Sequence, residues 1–358
     1  MDSGKGPAVH ESDATATAVS GGQRFGPVVA LLLLAPIVSE VLFGSTRISV
    51  LFVLIPEIAT WGCGALMIRE AVRRWQRGWV SLLLLGVALA VAEECVIQQT
   101  SLAPLVGLAT HTYGRLWDVN WVYFLWALGY ESVWVVVLPV QLAELIFPAR
   151  RDEPWVGQRG LILAGVVFVL GSLVAWYSWT QVARTKVLHM PEYQPPLWHI
   201  LLAMMAIVLL AAAAFSPWTA PRPGRPFSRR PAPRPWLVGL IAVAFGFPWS
   251  ILVLLGFGVV ATIPSGIPMI VGVAWVCAVL VLIMRWTRRQ SWNDRHRIAL
   301  VSGGLLACMG GGFVIFAVGG ALPIDWVGKT ILNLFTVLAM VRLGGQLRSR
   351  QDVVLGQR

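Results

Sequence analysis

The 358-residue chain is short of charge: Asp, Glu, Lys and Arg make up only 13% of it, against 57% hydrophobic residues. A water-soluble globule carries about a quarter of its residues charged, so this supply excludes an ordinary soluble fold. Disorder is excluded for the chain as a whole, because mean hydropathy is +0.73 and disordered chains are poor in apolar residues. Cysteine is scarce as well. Cys63, Cys95, Cys277 and Cys308 all fall inside apolar stretches and form no CxxC pair, so neither a disulfide framework nor a zinc ribbon is supported. Buried, inert thiols are the plain reading. No GxxxxGK[ST], HExxH or GxSxG run occurs, which removes the sequence basis for P-loop ATP hydrolysis and for the hydrolases that carry those motifs.

What the chain has in plenty is long apolar runs. Runs of about 18 or more residues are long enough to cross a ~30 Å hydrocarbon core as helices. The pattern predicts an all-α, polytopic transmembrane bundle with ten spans: 26–44, 48–69, 79–101, 120–147, 160–183, 197–215, 236–256, 267–286, 297–319 and 326–343. The net charge of +11 follows the same plan. With the N-terminus inside, 23 of the 28 Lys and Arg fall in the inner segments, and only Arg47, Arg115, Arg184, Lys186 and Lys329 fall in the outer ones. That loop-by-loop alternation encodes topology, not nucleic-acid binding, and it puts both termini in the cytoplasm. The expected setting is the plasma membrane. An excess of 25 arginines over 3 lysines suggests a GC-rich bacterial genome.

Residues 1–25 read as a polar, disordered leader, 26–150 as a four-span module and 151–215 as two further spans. Residues 216–235 read as a linker, 236–345 as a glycine-rich four-span module and 346–358 as a tail. No A-x-A site follows the first apolar run, which marks it as a retained helix instead of a signal peptide. The stretch Ser216–Trp236 holds seven prolines and five arginines, cannot be helical, and suits contact with anionic lipid headgroups. Runs such as Gly310-Gly311-Gly312 suit close helix packing in lipid.

Acidic residues inside the spans carry the functional signal. Spans one to four hold Glu40, Glu57, Glu93, Glu94, Glu131 and Glu144, whereas spans five to ten hold almost none. Counting ~1.5 Å per residue places all but Glu144 in a band from mid-membrane to the outer third. Glu144 falls near the cytoplasmic end of span four. Each ionised carboxylate in that band costs about 3 kcal/mol on insertion scales, and the nearby outer cations are too few to pair them all. Some must therefore be protonated, meet water, or bind a cation.

The sharpest local pattern is Ala92-Glu93-Glu94-Cys95-Val96-Ile97-Gln98-Gln99. Glu94 and Gln98 are spaced to share a helix face, and Glu93 projects about 100° away. Adjacent carboxyl groups on an intramembrane helix suit a metal-activated water with its general base, or a proton carrier. Beyond them, 101–119 contains His111, which a re-entrant loop would bring over the pair.

Glu93-Glu94 followed by polar Gln98 resembles the EExxxR motif of the CPBP intramembrane proteases, the type II CAAX-prenyl-endopeptidase-like group. The likeness is remote and covers residues 26–150, where the texture is also similar to that of bacterial multi-span membrane proteins. It implies Glu93 or Glu94 as the water-activating residue, with Glu131 and His111 as secondary participants and a divalent metal such as zinc as cofactor. The chain departs from the family pattern in having Gln98 where the motif has Arg and Glu131 where a His is expected, with no HxxxN run.

Three functions stay open at this point. One is a CPBP-like intramembrane hydrolase or an inactive relative, with Glu93 and Glu94 catalytic. Another is a proton- or cation-coupled transporter using Glu57, Gln98, His111 and Glu131 beside that pair. The third is a non-catalytic membrane scaffold.

Overall fold

A computed structural model describes residues 21–104, 113–220 and 230–356. Ten apolar helices cross it among those residues. They are α1 (Phe25–Val41), α2 (Ile48–Arg74), α3 (Trp79–Ile97), α4 (Trp121–Ile146), α5 (Gln158–Val187), α6 (Leu197–Phe215), α7 (Pro235–Gly256), α8 (Gly266–Thr287), α9 (Asp294–Gly319) and α10 (Pro323–Arg350). All but α1 are long and apolar enough to span a bilayer, so the chain is a multi-pass membrane protein of nearly all-α structure. The only sheet among the described residues is a two-stranded ribbon, β1 (Arg115–Leu116) paired antiparallel with β2 (Val119–Asn120).

Several boundaries depart from the sequence reading. The first helix begins at Gly21, inside the segment expected to be disordered. The last continues to Gly356, so 346–358 is for the most part the end of α10 and not a separate tail. Residues 221–229 of the proline-rich linker lie outside the described residues.

Burial divides the helices into two classes. The most apolar windows of α3, α4 and α9 are 61%, 56% and 56% buried inside the protein, whereas those of α5, α6, α8 and α10 reach no more than 17%. The second class presents apolar side chains outward, including Leu163, Leu170, Leu201, Ile270, Leu334 and Phe335, as lipid-facing helices must. α4 is the hub, packing against α1, α3, α7, α8 and α9. One face of α4 carries a ladder of rings at helical spacing, Tyr123, Trp126, Tyr130 and Trp134. Successive centroids along it are 5.4, 4.8 and 5.2 Å apart, within the usual range for aromatic pairs.

The α7–α9 contact is the most extensive between any two helices, and glycine makes it possible. A Cβ on Gly303 would lie 2.6 Å from Ala242 Cβ, one on Gly246 2.8 Å from Ala307 Cβ, and one on Gly311 2.5 Å from Ser250 Cβ. α9 runs through Gly310-Gly311-Gly312 without a break. Close packing therefore accounts for these glycines.

At the arginine-rich end of α2, buried charges tie helices together. Arg69 is fully buried and donates to Glu70 Oε1 at 2.8 Å, to Glu144 Oε1 at 3.3 Å, and to the Glu153 and Arg151 carbonyls at 2.7 and 2.8 Å. Its guanidinium stacks 3.6 Å from the Trp155 ring centre. Arg73 grips Glu144 with two bonds of 2.8 and 2.6 Å. The planar guanidinium fork suits such bidentate pairing. Glu144 thus belongs to this clamp, apart from the other intramembrane acids.

Candidate functional site

Regular α-helix would leave the five acids of the band on smooth rods. Instead, each of the five lies in or directly beside a π-helical segment, whereas Glu70 and Glu144 lie in regular α-helix. Glu40 is within Ile37–Val41, Glu57 directly precedes Ile58–Gly62, Glu93 and Glu94 open Glu93–Ile97, and Glu131 opens Glu131–Val137. The wider i→i+5 bonds are explicit. Leu42 N–H donates to Ile37 O and Gln98 N–H to Glu93 O, at 2.9 and 2.8 Å, while Cys63 N–H reaches Ile58 O and Leu138 N–H reaches Val133 O. A π segment holds an extra residue per turn, redirects side chains and frees carbonyl groups, and such segments gather at functional sites. Among the described residues one further π segment, Tyr177–Val187, ends α5, and α6–α10 contain none.

The π segments bring the acids of the predicted band together. Glu93, Glu94 and Glu57 are buried, at 2%, 3% and 4% exposure. Glu93 lies within electrostatic reach of Glu94, Glu40 and Glu57, and Glu131 within reach of Glu94, Glu93 and Glu40. Glu94 and Glu131 stand close enough for a proton on one carboxyl group to be shared with the other. Two carboxyl groups can share a hydrogen bond only if one holds a proton, since a carboxylate has only acceptors.

Hydroxyl donors serve the outlying oxygens. Ser101 Oγ donates to Glu94 Oε2 at 2.6 Å, Ser45 Oγ to Glu40 Oε2 at 2.5 Å, and Thr46 Oγ1 to Glu57 Oε1. Neither oxygen of Glu93 has a hydrogen-bond partner, and Glu57 Oε2 and Glu131 Oε2 are likewise buried without one. A buried carboxyl oxygen left alone costs its full desolvation, so Glu93 is poised for a proton, a water or a cation.

The other predicted residues are more peripheral. Gln98 is half-buried at the end of its π segment, and its side chain makes no hydrogen bond among the described residues. His111 lies outside the described residues. The loop near it does approach the acids, because buried Ser101 holds Glu94 and its own carbonyl accepts from Asn120 N–H at 2.9 Å. Ser101, Thr46 and the ring residues Tyr123 and Tyr130 were not read from sequence. Tyr123 lies within electrostatic reach of Glu94 and Glu131, and Tyr130 of Glu40 and Glu131. A hydroxyl one turn beyond a helix that ends on an acid is the signal that would have found Ser101.

No three His, Cys, Asp or Glu side chains stand in a metal-ligating arrangement among the described residues. No protein-family model matches the chain, and no curated protein or solved structure is significantly similar to it.

Proposed function

We propose that the protein is a proton- or cation-coupled membrane transporter whose coupling site is the group Glu40, Glu57, Glu93, Glu94 and Glu131. The observation that carries this reading is the buried Glu93, whose two oxygens have no partner, beside Glu94 and Glu131. Such a trio changes its charge by gaining or losing one proton, because like charges in contact cannot all ionise. Intramembrane acids that do not pair with arginine mark proton and ion pathways. The π segments support the same reading, since such segments are frequent at functional sites. An intramembrane hydrolase of the metal-dependent kind would keep Glu93 and Glu94 and would draw a further ligand from His111, which lies outside the described residues.

The test is flux in proteoliposomes under an imposed pH gradient, read with an internal pH dye, with sodium, potassium and a panel of small organic ions outside. The expected result is proton movement that depends on one of these ions and falls tenfold or more in Glu94→Gln and Glu131→Gln. Flux equal to that of empty liposomes for every ion, or unchanged by both substitutions, contradicts the proposal.

A further inference from the structure

The π segment of α1 leaves its own backbone short of donors. Leu42 N–H reaches back to Ile37 O at 2.9 Å, and Gly44 N–H to Glu40 O at 2.7 Å. Only Phe43 N–H lies between those two donors in the chain, yet two carbonyls, of Val38 and Ser39, lie between their acceptors. Both residues are buried, so at least one carbonyl must find a donor outside its own helix.

Tyr130 of α4 supplies it. Its hydroxyl donates to Ser39 O at 2.7 Å, and Cys308 Sγ of α9 stands 3.4 Å from that hydroxyl and 3.5 Å from Val38 O. The ring is held on both sides. It is stacked between Trp126 and Trp134 with centroids 4.8 and 5.2 Å away, and Phe43 packs 4.8 Å from it. Lys329 of α10 adds a tie to the same turn by donating to Leu42 O.

The place of this contact in each helix gives it a consequence for the carboxyl site. Tyr130 directly precedes Glu131, which opens the π segment of α4, and Ser39 directly precedes Glu40 inside the π segment of α1. The two π segments pack against each other, and Glu40 lies within electrostatic reach of Glu131. One hydrogen bond therefore fixes the relative placement of the two turns that carry these acids. A phenylalanine ring would serve the aromatic ladder as well. The hydroxyl is required only by the Ser39 carbonyl, which would otherwise be left short of a donor.

We propose that Tyr130 is a positioning residue of the carboxyl site: it holds the turn of Glu40 in register with Glu131, so that the two groups keep their separation when one gains or loses a proton. The inference rests on the reading of these acids as a coupling site and adds the residue that sets their spacing.

The experiment is residue-resolved labelling of the full chain in detergent with dicyclohexylcarbodiimide, a hydrophobic reagent for protonated carboxyl groups, read by peptide mass spectrometry. Tyr130→Phe removes the hydroxyl and keeps the ring. Half-buried Glu40 should label about fivefold faster in this variant, the population change that one net hydrogen bond is worth. Glu144, held by arginine, should keep its wild-type rate, which a general loosening of the fold would not allow. The proposal is overturned if the Glu40 rate is unchanged, or if it rises only together with that of Glu144. Should Tyr130→Phe fail to fold, Cys308→Ala decides: a smaller rise at Glu40 alone supports the tie, and no rise overturns it. Labelling needs no transport, so liposomes without flux would remove the coupling reading and leave this one to be judged on the Glu40 rate.

Discussion

α2 and α4 each contribute buried acid to two places, and the two places treat it in opposite ways. At the arginine-rich end, Glu70 and Glu144 are 0% and 1% exposed, and arginine side chains reach both. In the band, Glu93 is 2% exposed with no partner at either oxygen, and Glu94 and Glu131 lie within reach of each other. Equal burial with opposite pairing separates structural charge from functional charge. The first set is satisfied and holds α2, α4 and the following loop in place. The second is left electrostatically incomplete, a condition that selection for stability alone would remove.

The comparison is tested most severely by cutting the clamp. Arg69→Ala should cost about 3–5 kcal/mol, the usual penalty for leaving a buried charge without its partner, read as a large fall in Tm in detergent. A loss near zero would show that the clamp is ornamental and that burial with pairing says nothing about role. The opposite sign is expected in the band. Glu93→Gln should keep the fold and raise stability by about 1–3 kcal/mol, because a neutral amide replaces an acid that is costly in hydrocarbon. A loss as large as that of Arg69→Ala would mean Glu93 is structural and would erase the distinction.

The α7–α9 contact supplies a scale for both. Gly303→Ala should lose about 1–3 kcal/mol by overpacking, since its Cβ would meet the Gly239 backbone and Ala242. Gly266→Ala is the smallest effect, within about 1 kcal/mol, because a Cβ there meets nothing within 4 Å. If both glycine variants behaved alike, close backbone approach would not be what holds the second half together.

Much of the architecture was legible because bilayer thickness fixes helix length. The predicted span 197–215 coincides with α6, Leu197–Phe215, and 236–256 falls one residue short of α7, Pro235–Gly256. The acidic band was legible for the same reason: depth follows from the axial rise, and Glu144 separated from the rest by counting alone. The π segments were not legible. An i→i+5 turn wins over i→i+4 only when neighbouring helices take up the carbonyls it frees. On α1 these are taken by Tyr130 Oη to Ser39 O at 2.7 Å and Cys308 Sγ to Val38 O at 3.5 Å, from residues about a hundred or more positions away. The surroundings of Lys329 were not legible for a related cause. Loop counting assigns a lysine near a helix start to one side of the membrane, and only packing shows its ammonium buried, at 1% exposure, and bonded to the Leu42 carbonyl.

The most direct test of the central claim is infrared titration of the protein in detergent, following the carbonyl stretch of protonated carboxyl groups and its shift in D2O. A buried, proton-sharing pair predicts a protonated-carboxyl band that persists at neutral pH and is diminished in both Glu94→Gln and Glu131→Gln. It should be unchanged in Glu144→Gln, whose carboxylate is held by arginine. No such band at neutral pH in the folded wild type, or a band that only Glu144→Gln removes, would contradict it.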